Sequence, residues 1–351
     1  MEMEVYENLA QHLDKLPGGF PPSDSGVELR LLKRLFTPDE AKLAVHLTLD
    51  REDVKAIAER AELDVIRAGR MLKEMAHKGL IFSIEPESGP ALYQAVPWMF
   101  GIYEFQVNSL NQDFVQDFNE YIRTRGKVSR PQRIPQLRTI PLRRSIEPHM
   151  ETLPYERAEE LIKAQRRFAV APCICRREKQ IMGNGCDAPQ ETCLMFGVWA
   201  DYYVRNGLGR YINQAEVMEI LTEADKANLV LQPSNSKDIA LMCCCCGCCC
   251  AVLTRIKHHP MPSTLVASSF IARHEPETCD SCEVCIGRCQ MEALTLEDDR
   301  VVLNSDRCIG CGLCVSTCPT GSLTLVRKPG SERIKIPATL DATWRELAQP
   351  Y

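Results

Sequence analysis

The chain has 351 residues, a formal net charge of −5 and a pI near 5.9, which suits two or three domains and argues against a general polyanion binder. Its nineteen cysteines point to metal ligation in a reducing cytoplasm rather than to disulfides. The acidic start lacks the layout of a secretory signal and no apolar run approaches the roughly 20 residues of a membrane span, so we expect a cytoplasmic protein without membrane insertion.

The first folded part of the chain follows an N-terminal arm, residues 1–26, that ends in a loop rich in proline and glycine. Asp50 and Asp64 are placed to cap two amphipathic helices. Two runs with strand composition, 80–84 and 91–96, follow these helices and are separated by turn-forming residues. The pattern therefore predicts helix, turn, helix and hairpin.

This element order resembles the winged-helix regulators over residues 27–118. The resemblance implies a recognition helix that presents Arg67, Arg70 and Lys73 outward. DNA binding is one interpretation, and a protein-docking or dimerisation module is the other. We favour docking because Glu74 interrupts the basic face and the domain as a whole lacks a strong positive charge.

A basic, proline-containing connector is predicted for residues 119–150. The stretch from 121 to 146 contains eight lysines and arginines and no acidic residue, and three prolines interrupt it. Such a segment can lie against an acidic surface of its own chain or of a partner. A plain solvated linker is the alternative.

Residues 151–262 are predicted to form a mixed α/β middle domain. A helical pattern over 153–168 leads into a strand-like run at 168–171. Asn213 is placed to cap a second helix, and residues 229–231 have the composition of a strand.

Eleven cysteines lie in this middle domain, in two groups. They are Cys173, Cys175, Cys186 and Cys193 in the first group, and Cys243, Cys244, Cys245, Cys246, Cys248, Cys249 and Cys250 in the second. Because alternate side chains of an extended strand share a face, Cys243 and Cys245 can serve one site while Cys244 and Cys246 serve another. Both groups follow short apolar runs, so we expect them to be neighbours in space.

We predict at least one additional iron–sulfur site here, with the first group of four cysteines as the best single ligand set. Arg176 and Arg177 would offset the negative charge of a thiolate-bound cluster. Zinc and free thiols are the alternatives, because the spacing is irregular.

The other eight cysteines form two similar runs near the C-terminus. They are Cys279-x2-Cys282-x2-Cys285-x3-Cys289 and Cys308-x2-Cys311-x2-Cys314-x3-Cys318-Pro319. Three consecutive short steps turn several sulfurs toward one point, whereas zinc sites use paired Cys-x2-Cys units. The runs resemble the bacterial two-cluster ferredoxins over roughly residues 274–328, except that Gln290 stands where those ferredoxins usually have a proline.

The ferredoxin resemblance implies two [4Fe–4S] clusters with crossed ligands. The first cluster would take Cys279, Cys282, Cys285 and Cys318. The second would take Cys308, Cys311, Cys314 and Cys289. Exposed clusters are sensitive to oxygen, so we expect an anaerobic or reducing setting.

At the level of the whole chain, segments 171–178 and 242–250 and the ferredoxin runs resemble a group of winged-helix-plus-ferredoxin 4Fe–4S binding proteins of anaerobes, to which no reaction is assigned. The predicted fold is α+β and multidomain: an N-terminal winged helix, a cysteine-rich mixed α/β middle domain and a C-terminal two-cluster ferredoxin fold. The predicted boundaries are 1–26 arm, 27–118 winged-helix-like domain, 119–150 connector, 151–262 middle domain, 263–328 ferredoxin domain and 329–351 tail.

The function predicted from the sequence is electron transfer. A ferredoxin-type relay would pass single electrons to or from a redox partner protein, through an additional metal site in the middle domain. A redox-sensing winged-helix transcription regulator is one alternative, with DNA as the less favoured partner. A reductase with a catalytic iron–sulfur site at residues 243–250 is the other, and no individual catalytic residue is predicted.

Overall fold

The computed structural model describes residues 2–125, 134–141, 145–146, 152–331 and 334–349. Much of the predicted basic connector lies outside these residues. The described chain is a mixed α/β fold with several small sheets. None of the helices in these ranges combines the length and hydropathy that crossing a membrane requires.

The N-terminal region is mostly helical and carries one small sheet. Its elements are α1 (Glu2–Asp14), α2 (Val27–Leu35), α3 (Pro38–Ala44), β1 (Glu52–Asp53), α4 (Val54–Arg60), α5 (Val65–His77), β2 (Phe82–Ile84), β3 (Leu92–Gln94) and α6 (Gln112–Arg125). The three strands are antiparallel in the order β1-β3-β2. The predicted helices and hairpin are therefore present, and a short strand precedes them.

One of the two predicted helix caps is confirmed and the other is wrong. The Asp64 carboxylate accepts hydrogen bonds from the backbone N–H groups of Ile66 and Arg67 at the start of α5. Helix α4 is capped by Asp53 and not by Asp50. Residues 52 and 53 first pair with β3, so the helix begins only after that pairing ends.

The residues predicted to form an N-terminal arm belong to the core. Helix α1 buries Tyr6, Leu9 and Leu13 against the neighbouring helices. The ring of Phe20 lies 4.7 Å from that of Trp98 and 4.8 Å from that of Tyr121, measured between centroids. This apolar and aromatic packing holds the described residues 2–26 in the domain that follows them.

The middle region is built on a five-stranded antiparallel sheet in the order β6-β4-β5-β8-β7. Its elements are α7 (Ala158–Lys163), β4 (Phe168–Pro172), α8 (Ile174–Ile181), β5 (Glu191–Phe196), α9 (Val198–Arg205), β6 (Arg210–Ile212), α10 (Gln214–Lys226), β7 (Val230–Pro233), β8 (Leu241–Cys245) and α11 (Ala251–Lys257). The predicted Asn213 cap is confirmed, because its side chain accepts from the Glu216 N–H at 3.0 Å. The helix predicted over 153–168 is shorter, because α7 covers only Ala158–Lys163.

The predicted connector begins inside helix α6, which covers residues 119–125 of it. A second described part of it, residues 134–141, is largely buried along β7. Leu137 and Ile140 form antiparallel bridges to Ser234 and Leu231. The buried Arg138 guanidinium donates to the Ser236 carbonyl at 3.1 Å. Backbone pairing and apolar burial therefore make this strip part of the middle region, which corrects the prediction of a solvated or loosely lying connector.

The C-terminal region contains two small antiparallel pairs of strands and two short helices. Its elements are β9 (Phe270–His274), α12 (Val284–Arg288), β10 (Leu294–Glu297), β11 (Arg300–Leu303), β12 (Leu323–Arg327) and α13 (Leu340–Ala348). Strand β9 pairs with β12, and β10 pairs with β11. The predicted tail contains α13, whose buried Trp344 donates from Nε1 to the Gln136 side chain at 3.2 Å.

The N-terminal and middle regions pack directly on each other. The ring of Phe82 on β2 stacks on Trp199 of α9 with centroids 4.3 Å apart. The Tyr202 hydroxyl donates to the Ile81 carbonyl at 2.8 Å. The N-terminal hairpin is thus anchored on the helix that follows strand β5.

Candidate metal centres

The first set of ferredoxin cysteines surrounds one cavity at the surface. Cys279, Cys282 and Cys285 line it together with Cys318, although Cys318 belongs to the other run. Burial raises the pKa of the Cys285 thiol to about 11, and the three other thiols add to the shift. The structure thus brings together the four residues that the ferredoxin resemblance implied for the first cluster, while their ligation stays a prediction.

The second set lies deeper in the C-terminal region. Burial raises the pKa of Cys311 to about 12, with further contributions from the neighbouring Cys289 and Cys308. The Cys289 sulfur accepts from the Ala293 N–H at 3.2 Å, and the Cys308 sulfur accepts from the Ala272 N–H at 3.3 Å. Backbone hydrogen bonds to sulfur stabilise thiolates and tune cluster potentials.

The second set faces the middle region. Met291, Ile309 and Leu313 share one apolar cluster with cysteines of the 243–250 run. The Arg288 guanidinium also pairs with Asp225 of α10 at 2.5 Å, and both side chains are largely buried. The ferredoxin-like region is therefore docked on the middle region by apolar packing and by a buried ion pair.

Four cysteines of the middle region form a compact cluster, which we name the four-cysteine group. Its members are Cys186, Cys246, Cys248 and Cys249, whose sulfurs all lie within 4.8 Å of one another. Cys186 comes from the loop between α8 and β5, and the other three come from the turn that follows β8. Cys186, which is distant in sequence, thus joins three cysteines of one tight turn to complete the group.

Six further described cysteines form a second cluster, in which no three sulfurs lie within 4.8 Å of one another. We name it the six-cysteine group. Its members are Cys173, Cys175, Cys193, Cys243, Cys245 and Cys250. Strand register creates it: Cys193 on β5 is paired with Cys243 on β8, and their sulfurs are 4.0 Å apart. Side-chain hydrogen bonds continue from Cys243 to Cys245, to Cys250 and on to Cys175.

The electrostatics of the six-cysteine group favour thiolates at Cys173, Cys243 and Cys250, whose pKa values are lowered mainly by hydrogen bonds from neighbouring thiols. A hydrogen bond from the Cys193 thiol lowers the pKa of Cys243. A hydrogen bond from the Cys175 thiol lowers the pKa of Cys250, which also accepts from backbone N–H groups at the start of α11. Thiolates are the form that binds metal, so these contacts suit ligation.

These positions correct the predicted grouping of the middle cysteines. Cys186 lies with Cys246, Cys248 and Cys249 instead of completing a set with Cys173, Cys175 and Cys193. As predicted from strand alternation, Cys243 and Cys245 lie in one group and Cys246 lies in the other. Cys244 is 1% exposed and packs in the apolar core, where burial raises its pKa.

Arg176 is the buried cation beside both groups. It is fully buried, and its Nη1 lies 3.2 Å from the Cys244 carbonyl and 3.8 Å from the Cys246 sulfur. Its Nη2 also donates to the Thr192 hydroxyl. Arg177, for which the same role was predicted, instead donates to the Asn108 side chain at the protein surface.

A cavity of about 50 Å³ adjoins the six-cysteine group, and its other walls were not predicted. They include Glu104, Trp199 and Tyr203. Burial raises the pKa of Glu104 to about 8. Phe100, on the same wall, has a φ of 62°, a strained backbone conformation for a residue with a large side chain.

The sequence did contain a signal for this wall. Glu104 is the one charged residue in the largely apolar stretch 95–107. A lone carboxylate in such a run is expected either to be paired or to carry a raised pKa. Nothing local, however, indicated that the cysteines would lie beside it.

Comparison with known families identifies a 4Fe-4S binding domain at residues 301–324. This stretch contains the second cysteine run of the C-terminal region. No curated protein and no solved structure matches the chain. The chain is therefore an iron–sulfur protein with at least one [4Fe–4S] cluster, and the candidate sites described above extend beyond the matched residues.

Proposed function

We propose that the protein transfers single electrons through two [4Fe–4S] clusters in its C-terminal region to or from a further iron–sulfur cluster held by the six-cysteine group. The residues fit these roles. The first two clusters would use the crossed sets of the ferredoxin resemblance, and the third would use thiolates supplied by β5, β8 and the starts of α8 and α11. The clusters would supply one-electron chemistry, and the chain would supply burial, hydrogen bonds and docking.

One contact carries the proposal. The Gly247 N–H donates to the Gln290 side-chain oxygen at 2.5 Å. Gln290 directly follows Cys289, a proposed ligand of the second cluster, and Gly247 is two residues after Cys245, a member of the six-cysteine group. The residue that replaces the usual ferredoxin proline thus joins the two cysteine-rich regions by a short covalent and hydrogen-bonded path.

The exposure of the cysteines supports an order of transfer. Cys282 of the first set is exposed, whereas Cys308 and Cys314 of the second set are buried. The second set lies on the side that packs against the middle region. Electrons would therefore enter or leave at the first cluster and pass inward through the second.

The N-terminal region is proposed to be a winged-helix-like docking module. Its sheet order and the positions of α4 and α5 fit this fold. Arg70 and Lys73 are exposed on α5, but Arg67 pairs with Asp39 at 3.0 Å. The hairpin loop carries Glu85, which pairs with Arg205, and the exposed Glu87, whose charge would repel a phosphate backbone, so a protein partner is favoured over DNA.

A reductase is the second candidate, and the cavity beside the six-cysteine group favours it. The cavity places a carboxyl group, that of Glu104, beside a proposed redox site within largely apolar walls. Reduction of a small molecule needs both electrons and a proton donor. Reoxidation of the reduced protein that depends on one particular small molecule, with stoichiometric product, would distinguish this function from simple electron transfer.

Replacing Gly247 with alanine tests the contact between the two regions. An added Cβ would lie 2.6 Å from the Gln290 carbonyl oxygen, so the backbones must separate. We expect overpacking to cost about 1–3 kcal/mol of stability. We also expect slower transfer from the ferredoxin clusters to the middle region after pulse reduction of the full chain.

Gly287→Ala is the matched control, because an added Cβ there meets no atom within 4 Å. It places the same substitution in the ferredoxin-like region and should leave the transfer rate unchanged. Equal rates in the two variants would contradict the proposed path through Gly247 and Gln290.

The surface around the first cysteine run predicts a partner with a basic face. Glu275 and Glu277 are exposed just before this run, and the exposed Asp280 and Glu283 lie within it. Electrostatic steering changes association rates by about 10- to 1,000-fold. We expect the rate at which the cation hexaamminecobalt(III) oxidises the dithionite-reduced protein to fall strongly as salt is added, and the rate with the anion ferricyanide to rise.

Changing Glu275, Glu277 and Glu283 to glutamine should lower the hexaamminecobalt rate by about tenfold, within the range that steering supplies. The control changes Glu59, Glu62 and Glu74 of the N-terminal region to glutamine, which alters the net charge equally. If both triple variants lower the rate by the same factor, the local acidic face has no role in docking.

A further inference from the structure

We propose that the four-cysteine group binds a single tetrahedral zinc ion, and that this site is separate from the iron–sulfur clusters. Among the described residues no further histidine, cysteine or carboxylate joins the four cysteine sulfurs, which form the closed, all-thiolate set that is typical of structural zinc sites. The inference goes beyond electron transfer, because zinc has no redox chemistry.

The spacing of the sulfurs carries the inference. Zinc–sulfur bonds of about 2.3 Å in a tetrahedron place the sulfurs about 3.8 Å apart. The Cys186 sulfur lies 3.8 Å from that of Cys246 and 3.6 Å from that of Cys249, and the Cys248 and Cys249 sulfurs are 3.7 Å apart. These three distances match the edges of such a tetrahedron, and the other sulfur pairs of the group lie within 4.8 Å.

The ferredoxin cysteines provide a contrast within the same chain. In a cubane each cysteine binds a different iron atom, so the ligand sulfurs stand farther apart. Among the eight cysteines of the C-terminal runs, all of which the structure describes, no three sulfurs lie within 4.8 Å of one another. The four-cysteine group is therefore too tight for the same type of cluster.

The local backbone also suits a single ion. Residues 247–249 form a turn after β8, and the backbone N–H of Cys250 returns to the Cys246 carbonyl at 3.2 Å. The Cys249 N–H donates to the Cys246 sulfur, as a metal-bound thiolate requires. Four thiolates and one Zn²⁺ leave a charge of −2, which the Arg176 guanidinium 3.8 Å from Cys246 partly offsets.

A zinc ion at this turn would fix the position of Gly247. Gly247 lies between two of the ligands and donates to Gln290 beside the second ferredoxin cluster. The ion would thus hold the docking surface on which the proposed electron path depends. This consequence rests on the proposed function, whereas the zinc assignment itself does not.

The test is metal analysis of the full-length protein and of two double variants. We expect one zinc per chain in the unaltered protein. Cys186→Ser with Cys249→Ser should lower bound zinc at least about tenfold while iron in the C-terminal clusters stays. Cys173→Ser with Cys193→Ser, in the six-cysteine group, should keep the zinc and lose iron.

Absence of zinc from the unaltered protein, or its retention in Cys186→Ser/Cys249→Ser, would overturn the assignment. X-ray absorption at the zinc edge of the unaltered protein gives a readout that does not depend on the folding of a variant. Four sulfurs at about 2.3 Å would support the site. Nitrogen or oxygen ligands or an iron neighbour at the zinc edge would overturn it, as would iron in place of zinc in the metal analysis.

Discussion

The Cys318→Ser variant is expected to lose the first [4Fe–4S] cluster and to keep the second. Cys318 ends the second run in sequence, but it lines the cavity of Cys279, Cys282 and Cys285. Losing one thiolate ligand should cost the protein about four iron atoms and the electron paramagnetic resonance signal of that cluster. Iron analysis and spectroscopy of the dithionite-reduced protein measure both effects.

Combination with Cys282→Ser shows which cluster each cysteine serves. If the ligands cross, Cys318→Ser adds no further iron loss to Cys282→Ser, because both residues bind the first cluster. Cys289→Ser added to Cys282→Ser should instead remove both clusters. Further iron loss in Cys282→Ser/Cys318→Ser, with none in Cys282→Ser/Cys289→Ser, would show that each run binds its own cluster.

Replacing Arg176 with methionine is expected to destabilise the middle region severely. The guanidinium is fully buried between the cysteine groups, pairs with the Cys246 sulfur at 3.8 Å, and bonds the Cys244 carbonyl and the Thr192 hydroxyl. Removing one partner from a buried charged pair costs about 3–5 kcal/mol, because the other charge stays uncompensated. We expect lower metal content in the middle region and a lower urea midpoint under anaerobic conditions.

Arg177→Met is the matched control on the same helix. Its guanidinium bonds Asn108 at the surface, so the free energy of unfolding should change by no more than about 0.5 kcal/mol. Arg176→Lys keeps the charge and should recover part of the metal content. Equal behaviour of Arg176→Met and Arg177→Met would contradict the electrostatic role of Arg176.

Features that depend on a few neighbouring residues in the sequence were predictable. The caps at Asp64 and Asn213 follow from one side chain placed before a helical pattern. The two ferredoxin ligand sets could be predicted because the cysteine spacing within each run is local. The exchange of the fourth ligand between the two clusters was implied by the family resemblance. The Asp50 cap failed because pairing of residues 52 and 53 with a distant strand delayed the helix.

The grouping of the middle cysteines depends on contacts between distant segments. Cys193 meets Cys243 only through the register of β5 against β8, and the loop after α8 brings Cys186 to the turn at 246–249. Irregular spacing in a single sequence does not specify this register. The role of Gln290 was hidden for the same reason, since its partner Gly247 lies 43 residues away along the chain.

Iron and acid-labile sulfide, measured on the full-length protein purified without oxygen, test the central claim most directly. The two C-terminal clusters account for eight irons and eight sulfides per chain. An iron–sulfur cluster in the six-cysteine group predicts more than eight of each, with the excess lost in Cys193→Ser/Cys243→Ser. Eight or fewer irons, unchanged in that variant, would contradict an iron–sulfur cluster in the middle region.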